Sequence, residues 1–228
     1  MAPAKRTKRT RAKNCPSAQL RKKVDETAFA LFLERGYENT TMRIISEETG
    51  FGAGSLYNTF NGKEDILLDI ILSAYDTTVK KVKALIKEDE DPLVAINVPM
   101  CVMIYAASVN VKYAELFTVA THNWKILNAM VDKTVAWKQN FFKTYNKDIT
   151  KEEMKASLLA NASVMGRYFL QYKEEGPMDC REGITMCMKF FCILFGVVVI
   201  DINAVVDKIV GLFDEQMMLG LFDITPDE

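Results

Sequence analysis

Histidine is almost missing from this 228-residue chain, which holds one, and tryptophan is scarce, with two. The single His122 has no Cys, Asp or Glu at ligand spacing, so no metal site and no other cofactor are expected. No serine stands in a nucleophile elbow and nothing from residue 88 onward has a catalytic pattern, so no catalytic residue is assigned and no enzyme is expected. The five cysteines, at 15, 101, 180, 187 and 192, form no C-x-x-C pair, and no charged-then-apolar leader opens the chain. A reducing, cytoplasmic setting is the expectation. The apolar run FFCILFGVVVI, 190–200, falls short of the roughly 18–20 residues that span a bilayer, which points to a buried or partner-facing helix and to no membrane partner. Strand signals and internal repeats are also lacking, and no low-complexity block follows the first fourteen residues.

What is present is a large apolar fraction, 49%, enough to bury a sizeable core. The net charge of −1 hides an asymmetry: residues 1–63 hold twelve Lys/Arg against six Asp/Glu, and the rest holds seventeen against twenty-four. A basic head on an acidic body implies a polyanion partner for the head alone. Within it, residues 1–16 read as a disordered basic arm, because KRTKRTRAK at 5–13 offers no apolar side chain larger than alanine. Such an arm either contacts DNA or is a solvated tail.

Helical spacing governs everything after Pro16. Ser17 can cap a helix with Leu20, Val24, Ala28, Leu31 and Phe32 on one face, ended by Gly36. Thr41 caps a short helix through Met42, Ile45 and Thr49 that stops at Gly50, and another runs from about Ala53 to Thr59. Asn61 with Glu64 has the form of a capping box for a long fourth helix, which ends near KEDEDP, 87–92. Further helices are expected at 92–108 with a kink at Pro99, and at 111–119, 121–146, 151–175, 178–199 and 201–219. Thr150 with Glu153 is a second capping box, EEGP at 174–177 a stop, and Asp201 a cap.

The stretch TGFGAGSLYNTFNGKED, 49–65, is rich in glycine, but a nucleotide fingerprint requires a preceding strand, and MRIISEETG has helical spacing instead. No Gly-Lys-Ser/Thr follows for a Walker loop. The segment TTMRIISEETGFGAGSLYNTF supplies a helix, a glycine turn and a second helix in order, with Phe51 as the plug and Ile45, Leu56 and Phe60 facing inward. Arg43, Ala53, Ser55, Asn58 and Thr59 then point outward. Together, ALFLERGYENTTMRIISEETG and GSLYNTFNGKEDIL, about fifty residues, resemble the N-terminal domain of the TetR family of transcriptional regulators.

That resemblance implies an all-α regulator: a helix-turn-helix domain, 17–63, joined to a helical ligand-binding and dimerisation domain, 64–228. It implies a homodimer, a palindromic double-stranded DNA operator, and release by a small-molecule effector, which makes the regulator a repressor. It also implies phosphate contacts from Thr40, Thr41, Tyr57 and Lys63, and base reading by Arg43 and the exposed face of 52–59, namely Ala53, Ser55, Asn58 and Thr59. The chain departs from the family pattern at Gly52, where Ser or Thr is usual, at Thr59, where His is common, and at NG before Lys63. The reading face is therefore bare, and a helical small-molecule-binding or protein-interaction module with weak, non-specific DNA binding stays open as the alternative.

In the body, methionine and aromatic stripes are first of all core, and a pocket between helices is the default binding site. Its composition points to an apolar or aromatic effector, with Tyr105, His122, Asn161, Arg167 and Tyr168 as candidate polar groups. For dimerisation the last three helices are the candidates, since 151–175 carries small residues and 184–200 is apolar nearly all round.

Overall fold

A computed structural model describes residues 17–85, 91–144, 148–176 and 179–213 of the chain. These form ten α-helices and no strand: α1 (Ser17–Arg35), α2 (Met42–Thr49), α3 (Ala53–Tyr57), α4 (Lys63–Leu85), α5 (Pro92–Val109), α6 (Val111–His122), α7 (Trp124–Thr144), α8 (Lys151–Glu175), α9 (Cys180–Phe195) and α10 (Ile202–Gly211). The all-α expectation holds. The basic arm, the KEDED segment at 86–90 and the end of the helix expected at 201–219 lie outside the described residues.

Local chemistry sets most of the helix ends. Gly36 and Gly50 take φ +85° and +73°, the left-handed turn that closes α1 and α2. Thr41 accepts the Ile44 N–H at 3.3 Å, and Thr150 and Glu153 form both halves of the capping box that starts α8. Asp201 accepts from Asn203 and Ala204 and starts α10.

Three expected boundaries are corrected. The reciprocal partner of Asn61 is Asp65, whose Oδ2 accepts from the Asn61 backbone N–H at 3.0 Å and from its amide at 2.6 Å, rather than Glu64. The break between the two helices expected at 111–119 and 121–146 falls at Asn123, whose Oδ1 accepts from the Lys125 and Ile126 N–H groups. The helix expected at 178–199 stops at Phe195, because Gly196 adopts φ +57° and the β-branched residues after it leave helical geometry.

The first core lies between α1, α2, α3 and the start of α4, where Val24, Ala28, Phe32, Ile45, Leu56, Ile66 and Leu67 are fully buried. α4 packs against α1 on one side and against α5 and α7 on the other. α5 is the central helix of the body, touching α4, α6, α7, α8, α9 and α10. By length and composition it alone among the described helices is apolar enough to cross a membrane, and 61% of that 18-residue stretch is buried in the bundle.

Candidate functional site

The recognition face is built on α2, the turn at 50–52, and α3. Ser46 Oγ donates to the Phe51 carbonyl at 2.6 Å, and Thr49 Oγ1 donates back to Ile45 at 2.7 Å, so the turn is tied to α2. Phe51 is half-buried as the plug. Leu56 and Phe60 anchor α3 to the core, which leaves Ala53, Ser55, Tyr57 and Asn58 in solvent, with Tyr57 58% exposed. Arg43 projects from α2 onto the same surface, held loosely by Glu47 at 3.7 Å one turn away. Gly52 offers no side-chain cap, and a Cβ added at Gly52 or Gly54 would meet nothing within 4 Å.

Thr40, Lys63 and Thr59, three of the nine expected DNA contacts, are at least half-covered, with their polar groups engaged inside the chain. Thr40 is fully buried, its hydroxyl donating to Gly36 O at 2.9 Å, which ties the α1–α2 loop. Lys63 is mostly covered: its ammonium donates to Tyr37 O at 2.8 Å and lies 4.1 Å from the centre of the Tyr37 ring. Thr59 is half-buried and spends its hydroxyl on Ser55 O at 3.1 Å. Thr41 is exposed at the start of α2.

Sequence reasoning missed the residues that brace this head. Arg21 on α1 lies 5.0 Å from the centre of the Phe60 ring, donates to Thr59 O at 3.4 Å and pairs with Asp69 on α4. Asp25, beside it, is buried with one carboxylate oxygen unpartnered. Burial and the nearby Asp69 carboxylate raise its pKa to about 8, against the pull of Arg21. Glu115 on α6 accepts the Tyr37 N–H at 3.0 Å, reaching from the body to the loop between α1 and α2. Asp65 and Asp76 on α4 pair with Lys125 and Lys133 on α7. No local pattern announces such pairs, since their members lie far apart in sequence.

Between the body helices lies a cavity, part of it open to solvent, with about 70 Å³ of free space, smaller than the roughly 300–1,000 Å³ of occupied small-molecule pockets. α4 to α8 all contribute to its wall, which is mostly apolar: Met100, Met103, Met130, Met165 and Trp137 surround it. Of the five polar candidates only Asn161 lines it. Tyr105 packs tilted against Phe213 with ring centres 5.0 Å apart, and Tyr168 donates to Asp179 O at 3.0 Å. His122 and Arg167 are exposed. Helical spacing alone did not reveal which side of α5, α6 and α8 faces the void. The polar wall residues that were overlooked are Tyr75, Thr121, Thr134 and Lys138, the last buried at 2% exposure.

Among the described residues no group of three or more His, Cys, Asp or Glu is placed to hold a metal ion. Cys101, Cys180, Cys187 and Cys192 are free thiols.

Residues 26–70 match the family described as bacterial regulatory proteins, tetR family. HTH-type transcriptional regulators of Staphylococcus aureus, from strains bovine RF122 / ET3-1 and USA300, are 38% identical over 66 residues. That match takes in 28% of this chain and spans 36% of the length of those curated relatives. Similar solved structures cover more. FadR of Thermus thermophilus, a TetR-family repressor solved with lauroyl-CoA, is 17% identical over 79% of this chain and 96% of its own, with a TM-score of 0.59. RolR, solved with resorcinol, is 15% identical over 84% of this chain and 95% of its own, also with a TM-score of 0.59. At such identities the likeness is one of fold.

Proposed function

We propose that this chain, a TetR-family protein by its N-terminal helix-turn-helix, is a ligand-responsive transcriptional repressor that acts in the cytoplasm. In this reading residues 17–63 form the DNA-binding domain and residues 64–228 the ligand-binding and dimerisation domain. A homodimer holds a palindromic operator, and a small apolar or aromatic effector in the body releases it. The observation that carries the reading is a single connected structure. An exposed face of Arg43, Ala53, Ser55, Tyr57 and Asn58 sits on a head whose loop is bonded to α6, and α6 also contributes Thr121 to the apolar cavity. The dimer has support from apolar side chains left in solvent at the end of α9 and in the link to α10: Ile193 is 75% exposed, Val198 94% and Ile200 fully.

Arg43 is the strongest candidate base reader, because it is exposed and its loose pairing with Glu47 at 3.7 Å can be exchanged for a bidentate contact with guanine. Selection of bound duplexes from a randomised pool should yield a two-fold symmetric site, its half-sites about one helical turn, 34–36 Å, or a multiple apart. Arg43→Ala should weaken that site by more than tenfold and random DNA far less, since a bidentate base contact is worth about 1–3 kcal/mol.

The bareness of Gly52, Ala53 and Gly54 favours a second reading, a ligand-binding module whose DNA binding is weak and sequence-blind. It predicts no enriched sequence in the same selection and a steep loss of binding with salt.

A further inference from the structure

Inside the cavity wall one charge stands without a counter-charge. Lys138 on α7 is 2% exposed, and the contacts of its ammonium are the Asn97 Oδ1 at 3.2 Å and the face of Phe191, 4.2 Å from the ring centre. No carboxylate among the described residues lies within ion-pair distance of it. One amide and one aromatic face solvate an ammonium poorly, and an uncompensated buried ion costs several kcal/mol. A methionine would fill the same space in a wall already rich in methionine at no such cost.

A second group in the wall is also left short. Asn161 on α8 is 1% exposed, its Oδ1 has no hydrogen-bond partner, and its Nδ2 meets only the Met100 sulfur at 2.9 Å, a weak acceptor. A half-turn of that amide presents its NH2 where Oδ1 now stands, at little loss. The threonine hydroxyls in the wall are already committed, Thr121 to Phe117 O and Thr134 to Met130 O, each at 2.8 Å. Lys138 and Asn161 both line the cavity with methionines and Trp137, and an acceptor-rich, negatively charged group on an otherwise apolar molecule would partner both once the ammonium turns from Asn97 and Phe191 toward the void.

We propose that the cavity, widened by rotation of its flexible methionine side chains, takes an apolar carboxylic acid, whose carboxylate pairs with the Lys138 ammonium and accepts from Asn161 while its hydrocarbon part lies among Met100, Met103, Met130 and Trp137. This rests on the ligand-responsive reading above and names the class of its effector. A carboxylate fits better than a phosphate, because one lysine balances one negative charge and a phosphate carries about −1.5 to −2.

The proton count follows. Burial lowers the free Lys138 ammonium to about pKa 7. The other titratable groups nearby stay neutral: burial pushes the α4 phenol of Tyr75 up to about 12, the α5 thiol of Cys101 upward, and the α9 thiol of Cys187 to about 12. The parts of α6 and α8 that line the cavity present no titratable side chain. Above neutral pH most free protein holds Lys138 uncharged, so carboxylate binding must take up a proton.

Calorimetry on the full chain tests this with two matched pairs, decanoate against decan-1-ol and 2-naphthoate against 2-naphthalenemethanol. Near pH 8, in buffers of different ionisation enthalpy, at least one acid should bind ten times or more tighter than its alcohol, with uptake approaching one proton. Its affinity should fall up to tenfold per pH unit above about 7, while that of the alcohol stays flat. Lys138→Met, which replaces the buried ion with an apolar side chain of similar length, should abolish both the preference and the uptake. Asn161→Leu should weaken the acid and spare the proton count. Equal binding of acid and alcohol would overturn the proposal while leaving an apolar effector in place. Uptake that persists in Lys138→Met would overturn it too, by assigning the proton to the ligand. Failure of all four probes to bind would remove the proposal together with the effector reading on which it rests.

Discussion

Asp25 is the residue that most clearly works against the stability of the head. Burial, then the Asp69 carboxylate, raises its pKa to about 8, well above that of an exposed aspartate. The folded chain therefore keeps a proton that the unfolded chain releases. The contribution to stability is fully present below about pH 4 and declines as pH rises toward the folded value. Asp25→Asn keeps the shape without the ionisation. It should be more stable than the parent near pH 8, by on the order of 1–3 kcal/mol, with a gap that shrinks toward pH 5 in urea unfolding. A gap independent of pH would mean that Arg21 holds Asp25 ionised. Asp25 was not legible as a buried acid from sequence, because in a basic head it reads as an ordinary helix-surface residue. Thr41, Thr150 and Asp201 were legible, since a cap is decided by residues within one turn. The burial of Thr40 and Lys63 was not legible for the opposite reason: what covers them comes from Leu31, Gly36 and Tyr37, brought together only by the fold.

At the scale of the element, α3 is the shortest of the described helices, five residues long with a glycine cap and a glycine inside. Nothing in the free chain approaches Gly54, and its φ is not in the left-handed region, so no internal packing explains it. Gly54→Ala should raise stability by about 0.5–1 kcal/mol through reduced chain entropy. If the glycine is there to let the backbone come close to DNA, the same change should weaken operator binding; a gain in both properties would show the recognition face standing off from the duplex. Gly52→Ser should add a cap worth a few tenths of a kcal/mol and a phosphate donor, and should tighten all DNA about equally. Helix existence was read correctly throughout because apolar period is a property of a continuous segment. The ends of α6 and α9 were not. Thr121 and His122 continue the period up to the Asn123 cap, and the apolar run past Gly196 masks the turn made there.

At the scale of the whole molecule, the head and the cavity are joined through α6. Glu115 holds the Tyr37 N–H at 3.0 Å, Lys112 braces the carboxylate at 3.4 Å, and Phe29 of α1 lies 6.2 Å from Tyr113. Six residues further along the same helix, about 9 Å, Thr121 lines the cavity. A ligand that shifts α6 therefore acts on the loop that sets the entry angle of α2. Binding at the two sites must then be reciprocal: ligand changes DNA affinity by the same factor as DNA changes ligand affinity, commonly 5–150-fold. Glu115→Ala removes the acceptor and the charge, and should reduce that factor several-fold while each site still binds alone. Glu115→Gln keeps an acceptor for Tyr37 and should retain most of the coupling. Operator affinity measured with and without decanoate in the three proteins checks this. An undiminished factor in Glu115→Ala would move the coupling to α4, which Arg21–Asp69 ties to α1 of the head and which Asp65–Lys125 and Asp76–Lys133 tie to α7 of the cavity wall. The Glu115–Tyr37 bond spans 78 residues of sequence and links a body helix to a head loop, so no periodicity or motif in either segment implies it.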